Sequence, residues 1–265
     1  MLDHFYLGGK DFLQSLKRLP LTFYLSSYDI KIRYIRSFLG PFWLTLNTVV
    51  LCTCLGIIFG KIFNLPTGPY LIHLSIGLII WQFLNTSILE SSSEYRNSKN
   101  YILEIPGTYA SFIIQTIIRN TFVLLHNIII IPFLFIYFEI PHQELWYVSL
   151  LGFVLIFLNL LFVCLTFAIL ATRFNDVTPI LTTLFTAIFY FTPIIWNEKL
   201  LPKTFNTIFL HLNPFYHCLK VIRDPLIVDD LGFNSFLFLS ITLCIFMPLS
   251  LIIHGKYINR IPYWL

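Results

Sequence analysis

Apolar runs about 20 residues long alternate with short polar stretches along most of this chain. Six of them, at roughly 41–60, 70–89, 120–138, 145–172, 177–197 and 233–253, are long and charge-free enough to cross a hydrocarbon core of about 30 Å as helix. Backbone groups in lipid must bond within the segment, which requires helix here. The two-residue alternation of a membrane barrel is absent. The pattern predicts an all-α integral membrane protein with six transmembrane helices.

A different period precedes the first span. Leu25, Tyr28, Ile32, Ile35 and Leu39 recur at spacings of 3, 4, 3 and 4, and Ser26, Asp29, Arg33 and Arg36 recur on the opposite side. This is an amphipathic helix over 20–39, and its cationic face suits anionic headgroups at the cytoplasmic interface. Gly40 then relaxes the backbone, Pro41 suits a first helical turn, and Trp43 sits at headgroup depth. The chain divides into an N-terminal cytoplasmic segment, 1–40, and a membrane domain, 41–265.

Two connections stand out. SSSEYRNSKNYILEIPGTYA (91–110) is polar and closed by Pro106-Gly107; it reads either as a short helix over 92–104 or as a plain loop. The stretch 198–232 is too apolar for a free loop and too short to span. Phe205, Ile208, Phe209 and Leu212 have helical spacing, Asn213-Pro214 breaks the chain, and Phe215, Leu219, Ile222 and Leu226 resume the spacing until Asp224-Pro225, predicting an end near residue 224. A re-entrant or surface-lying helical hairpin at the outer leaflet fits.

Charge sets the orientation. With both termini inside, Lys10, Lys17, Arg18, Lys31, Arg33, Arg36, Arg96, Lys99, Arg119, Arg173, Lys256 and Arg260 lie on the cytoplasmic side, and Lys61, Lys199, Lys203, Lys220 and Arg223 lie outside. Four of the outer five fall in the hairpin, where they would face water or an extracytoplasmic pathway. Composition agrees: 57% of residues are hydrophobic and 11% charged, against about 25% charged in a soluble domain. A net charge of +4 is too small to suggest nucleic acid.

Few residues invite catalysis. No GxxxxGK[ST] loop occurs, so no ATP site is expected in this chain, and Gly8-Gly9-Lys10 lacks the spacing. The five cysteines form no CxxC pair, His211 and His217 do not have ligand spacing, and no GxSxG elbow is present. No metal site and no catalytic residue are predicted. Asp229-Asp230 reads as a solvated cap before the last span. His126-Asn127, in mid-span, is either a pore-facing pair or a helix–helix hydrogen bond. Arg173 and Asp176 flank a short cytoplasmic turn, where they form either a local ion pair or a contact with a partner. Aromatics make up 18% of the chain. They are lipid-facing filler or the lining of a route for sugars, whose apolar faces stack on rings.

Several segments, in order along nearly the whole chain, resemble the membrane subunit of ABC-2-type polysaccharide exporters, the family handling O-antigen, capsule and teichoic acid. They are RYIRSFLGPFWLTLN (33–47), RNTFVLLHN (119–127), ATRFNDVTPIL (171–181), FYFTPIIW (189–196) and LNPFYHCLKVIRDPL (212–226), the last closest to the O-antigen branch. A basic FPRE-like run common in the family is missing; YILEIPGTYA (101–110) stands in its place. The resemblance implies a homodimer in the bacterial cytoplasmic membrane, with both termini cytoplasmic. It implies two separate ATPase subunits that bind ATP and Mg, so that this chain binds no cofactor. The cargo would be a polyprenyl-diphosphate-linked glycan. Glu94, Tyr95, Arg96, Lys99, Arg173 and Asp176 would meet the ATPase subunit. Phe205, Phe209, Asn213, Pro214, Phe215, Tyr216 and Arg223 would form an outer gate. Arg33, Tyr34, Arg36 and Trp43 would lie at the cargo entry, where Arg33 and Arg36 either bind the diphosphate or anchor phospholipid. The competing classes are an ABC-2 permease for a drug, haem or lipid, a membrane glycosyl- or acyltransferase, and a passive channel.

Overall fold

The computed structural model describes residues 1–33, 35, 37, 38, 40, 42–104, 107–141, 143–198 and 210–265. Among these there is helix and no strand. The helices are α1 (Leu2–Lys17), α2 (Leu19–Arg33), α3 (Phe42–Ile62), α4 (Thr67–Asn97), α5 (Lys99–Glu104), α6 (Ala110–Ile128), α7 (Ile130–Tyr137), α8 (Val148–Arg173), α9 (Val177–Phe191), α10 (Pro214–Ile227), α11 (Phe233–Tyr257) and α12 (Ile261–Trp264).

Among the described residues, five helical stretches are long and apolar enough to cross a membrane: α3, α4, α6 with α7, Glu144–Arg173, and Phe233–Trp264. The sixth expected span is helical only over α9, 15 residues. Pro193 explains the stop, because a residue before proline is driven out of the α region, and Thr192 is extended at φ −92° and ψ 136°. Pro132 similarly accounts for the break between α6 and α7: it cannot donate to the Ile128 carbonyl.

The central helix is α4. Its 31 residues span about 46 Å, so it outruns the hydrocarbon core. The excess places Glu90 to Asn97 beyond the apolar stretch. The expected short helix over 92–104 is therefore two pieces, the last turns of α4 and the six-residue α5. Ser75, Gly77, Ser87, Ser91 and Ser92 are buried along α4 and keep its neighbours close.

At one end of the bundle α1 lies against the last turns of α11. The two backbones nearly touch at Gly8 and Gly255. A Cβ at Gly255 would overlap the His4 carbonyl oxygen, and one at Gly8 the Leu251 carbonyl oxygen. Gly255→Ala is expected to cost about 1–3 kcal/mol or more, read as a lower melting temperature of the purified protein in detergent. Gly9→Ala, where a Cβ meets nothing within 4 Å, is the control. Equal melting of the two variants would refute the close crossing.

The helix expected over 20–39 ends at Arg33. Ser26 and Asp29 of its polar side face α6, while Arg33 is half-exposed and Arg36 lies outside the described residues. Ser26 is fully buried and its Oγ donates to the Gln115 carbonyl at 2.9 Å. The reason is local: α6 presents Gln115 and Arg119 as polar partners, so that part of the stripe packs and Phe23, Tyr24, Tyr28 and Ile32 remain exposed. Gly40 takes φ +57°, as its place before the first span requires.

Candidate functional site

A cavity of about 780 Å³ lies between α2, the end of α4, α6 and residues 107–108. Each of the three helices contributes polar residues one turn apart: Asp29 and Arg33 from α2, Glu90 and Glu94 from α4, Gln115 and Arg119 from α6. Four-residue spacing stacks each pair on one helix face, and the fold turns these faces toward each other. Arg119 is the hub. Its Nη1 donates to Asp29 Oδ2 at 3.3 Å and its Nη2 to Glu90 Oε2 at 3.1 Å, with Glu94 Oε2 at 3.7 Å. Asn120 Nδ2 supports Glu90 at 3.1 Å, and Thr116 Oγ1 supports Glu94 at 2.9 Å. Arg33 approaches Glu90 only to 4.0 Å and is half-exposed.

Arg119 is the tenth residue of a helix that begins at Ala110 and stands level with Glu90 and Glu94, beyond the apolar stretch of α4. Of the other residues expected at cargo entry, Trp43 is partly exposed near the start of α3. Tyr34 and Arg36 lie outside the described residues.

The expected ATPase-contact residues divide by exposure. Tyr95 is fully buried, and Glu94 belongs to the Arg119 cluster. Arg96 ties the end of α4 to the turn between α8 and α9, donating to the Ala171 carbonyl at 3.1 Å, Asn175 Oδ1 at 2.9 Å and Thr178 Oγ1 at 2.8 Å. Lys99, Arg173 and Asp176 are exposed at the same end, and Lys99 Nζ donates to the Leu265 carbonyl. Arg173 forms no ion pair with Asp176; its guanidinium stands over the rings of Phe174 and Trp264 at 5.2 and 5.3 Å. Asp11 of α1, a residue without a sequence signal, reaches across to α6 and α11. Its carboxylate accepts from the backbone N–H groups of Tyr109 and Ala110 at 3.2 and 3.0 Å, capping α6, and from His254 Nε2 at 2.8 Å.

In mid-bundle, His126 Nδ1 contacts the carbonyl of Phe122 on its own helix at 2.8 Å. Asn127 is buried and meets Gln82 of α4 at 3.4 Å, and Thr48 of α3 donates to the same Gln82 oxygen at 3.3 Å. Nearby, Trp81, Phe185, Phe189 and Phe215 pack ring on ring with centroids 5.3–5.8 Å apart. Trp81, Phe185 and Phe189, with Asn85, Thr182 and Thr186, line a cleft of about 220 Å³ between α4 and α9.

At the opposite end, α10 is buried among α4, α8 and α11 rather than lying free on the surface. Asn213 caps it, its side chain accepting from the Phe215 N–H at 2.9 Å, and Pro214 opens the first turn. The predicted end at Asp224 is overturned: α10 continues to Ile227 with Pro225 inside it. Nearby carbonyls are supported from α8, where Ser149 Oγ donates to the Ile222 carbonyl at 2.9 Å and Gly152 lets the Val221 carbonyl approach.

Of the cations expected here to face water or an extracytoplasmic pathway, Arg223 and Lys220 turn inward, and Lys199 and Lys203 lie outside the described residues. Arg223 is buried and donates to the Pro193 carbonyl at 2.8 Å, while Asn213 Nδ2 donates to Thr192 Oγ1 at 2.9 Å and Tyr70 to the Ile195 carbonyl at 2.8 Å. Together these three hold the bend that ends α9. Burial pulls the Arg223 pKa down to about 10, with Asp224, Glu198 and Tyr216 opposing, so the group stays charged at neutral pH. Lys220 lies 3.5 Å from Glu198 and 3.4 Å from Asp224. Burial works against its charge, but these carboxylates and Tyr216 outweigh it and raise its pKa. Burial and a hydrogen bond to Glu198 push Tyr216 up to about 12. Phe205 and Phe209, expected in the same gate, lie outside the described residues.

A bundle with five helical stretches long and apolar enough to cross a membrane among its described residues, with a polar cluster at one end and a short buried helix at the other, is a multi-pass membrane protein. Residues 20–227 match the ABC-2 type transporter family, and the chain belongs to that family. It is a transport subunit. Two curated relatives, both O-antigen export system permease proteins RfbA of Klebsiella pneumoniae, are each 23% identical over 234 residues, which cover 88% of this chain and 90% of theirs.

Proposed function

We propose that the chain is the channel-forming permease subunit of an ATP-driven exporter for a polyprenyl-diphosphate-linked polysaccharide, with O-antigen as the cargo. The observation that carries this reading is the near full-length similarity to two O-antigen export permeases. The ring-lined cleft between α4 and α9 supports it, since rings beside Asn and Thr side chains suit a sliding glycan.

In this reading the subunit forms a homodimer in the bacterial cytoplasmic membrane, with both termini inside. Two ATPase subunits hold ATP and Mg and dock at the end formed by α5, Lys99, Arg173 and Asp176. Force enters through α5 and the last turns of α4, which Arg96 joins to the α8–α9 turn. The segment around α10, with Asn213, Pro214, Phe215, Tyr216 and Arg223, is the outer gate. Arg33 and Trp43 stand at cargo entry.

Deletion of the protein tests this. Lipid-linked glycan is expected to accumulate on the cytoplasmic face while surface polysaccharide disappears, and the wild-type chain restores both. Unchanged surface polysaccharide, with a drug, haem or lipid retained instead, would move the protein to another branch of the family.

A further inference from the structure

We infer that α2 is a movable strap over the inner cavity and that Asp29 is the positioning residue that latches it. The role given to this movement rests on the exporter reading; the latch itself does not. The cluster around Arg119 has two unequal arms. Toward α4, Arg119 meets Glu90 at 3.1 Å and Glu94 at 3.7 Å, and Asn120 and Thr116 add one hydrogen bond to each carboxylate. Beneath these contacts α4 and α6 share a dry core that includes Leu84, Ile88, Ile113 and Ile117. Polar contact and apolar burial reinforce each other there, so α4 and α6 move as one piece.

Toward α2 the contacts are polar rather than apolar, and Ser26 Oγ donates to the Gln115 carbonyl at 2.9 Å. Asp29 accepts from Arg119 at 3.3 Å and from Gln115 Nε2 at 2.9 Å, and it is about one-third exposed. Arg33 to Glu90, at 4.0 Å and half-exposed, adds little. The buried positions of α2 are Thr22, Ser26 and Ile30, two of them hydroxyls, and Phe23 against Phe122 is its ring contact with α6. Headgroups or water can replace such contacts, whereas neither can replace the α4–α6 core. When the cluster yields, α2 is the piece that lifts, and the cavity of about 780 Å³ beneath it opens. The lining combines Arg18, Arg33 and Glu90 with Leu25, Tyr28 and Ile32. That mixture suits the charged head and first methylenes of a lipid-borne cargo.

The test uses the full chain in nanodiscs of phosphatidylethanolamine and phosphatidylglycerol. Spin labels are placed at Tyr24→Cys on α2 and Leu103→Cys on α5, both exposed positions, with the exposed Cys54 and Cys244 replaced by Ser. Asp29→Asn is expected to lengthen and broaden the distance between labels, and Asp29→Glu to return it toward the parent. Glu94→Gln, which removes a contact on the α4 side alone, leaves it unchanged. A parent-like distance in Asp29→Asn, or an equal displacement in Glu94→Gln, overturns the latch. In vesicles holding the complete transporter, an Asp29→Cys/Gln115→Cys disulfide is expected to stop glycan export until reductant is added; equal export in the oxidised and reduced forms overturns the strap. If neither form nor the parent exports glycan, the exporter reading fails, and the label distances alone decide the latch.

Discussion

Arg119→Ala is expected to be among the most damaging single changes in the protein, costing about 3–5 kcal/mol. The loss is not that of one hydrogen bond. Arg119 serves Asp29, Glu90 and Glu94 together, and its side chain is only 12% exposed. Its removal leaves three neighbouring carboxylates with only the half-exposed Arg33, 4.0 Å from Glu90, as a nearby cation. Arg119→Lys keeps the charge but loses the planar fork that reaches several oxygens at once, so its cost should be intermediate. Melting temperature in detergent, with the yield of monodisperse protein, orders the three proteins as wild type, Lys, Ala. Wild-type melting of Arg119→Ala would show that the cluster contributes nothing to stability.

Asp11→Ala comes next. Three hydrogen bonds converge on this buried carboxylate, two from the first backbone N–H groups of α6 and one from His254. A hydrogen bond to a charged group contributes about 1.5–3 kcal/mol, and the N–H groups at a helix start have no partner within their own helix. A loss of at least about 3 kcal/mol is expected, with faster amide exchange at Tyr109 and Ala110 as its local signature. Unchanged exchange at those amides would rule out Asp11 as the cap. The site matters for function because α6 is the helix that follows α5, the element proposed to receive force, and Asp11 binds its start to α1.

Apolar run length was enough to place α3, α4, α8 and α11, because burial in lipid leaves the backbone no alternative to helix. Asn213-Pro214 was equally readable as a boundary, since capping is a local property. Neighbourhood was not readable. Glu90 and Glu94, Gln115 and Arg119, and Asp29 and Arg33 are each four residues apart, a visible signal of a polar stripe on each helix. Nothing in one sequence says that the three stripes face each other. The same limit applies to α2, where Ser26 and Asp29 of the stripe suited to headgroups find their partners on α6. Helix α1 was missed because its buried face is Gly8, Asp11 and Ser15, residues that carry no hydrophobic period. Pro225 misled in the opposite sense: as a local breaker it ends a helix, but α8 supports the carbonyls around it.

The central claim, ATP-driven movement of a lipid-linked glycan through this subunit, is tested most directly in inside-out vesicles containing the chain and its ATPase subunits. Lipid-linked glycan is supplied on the exposed cytoplasmic face, and protection from an added glycosidase is measured over time. Protection that requires both ATP and this chain is the predicted result. Protection that proceeds equally without ATP, or in vesicles lacking the chain, would contradict the account.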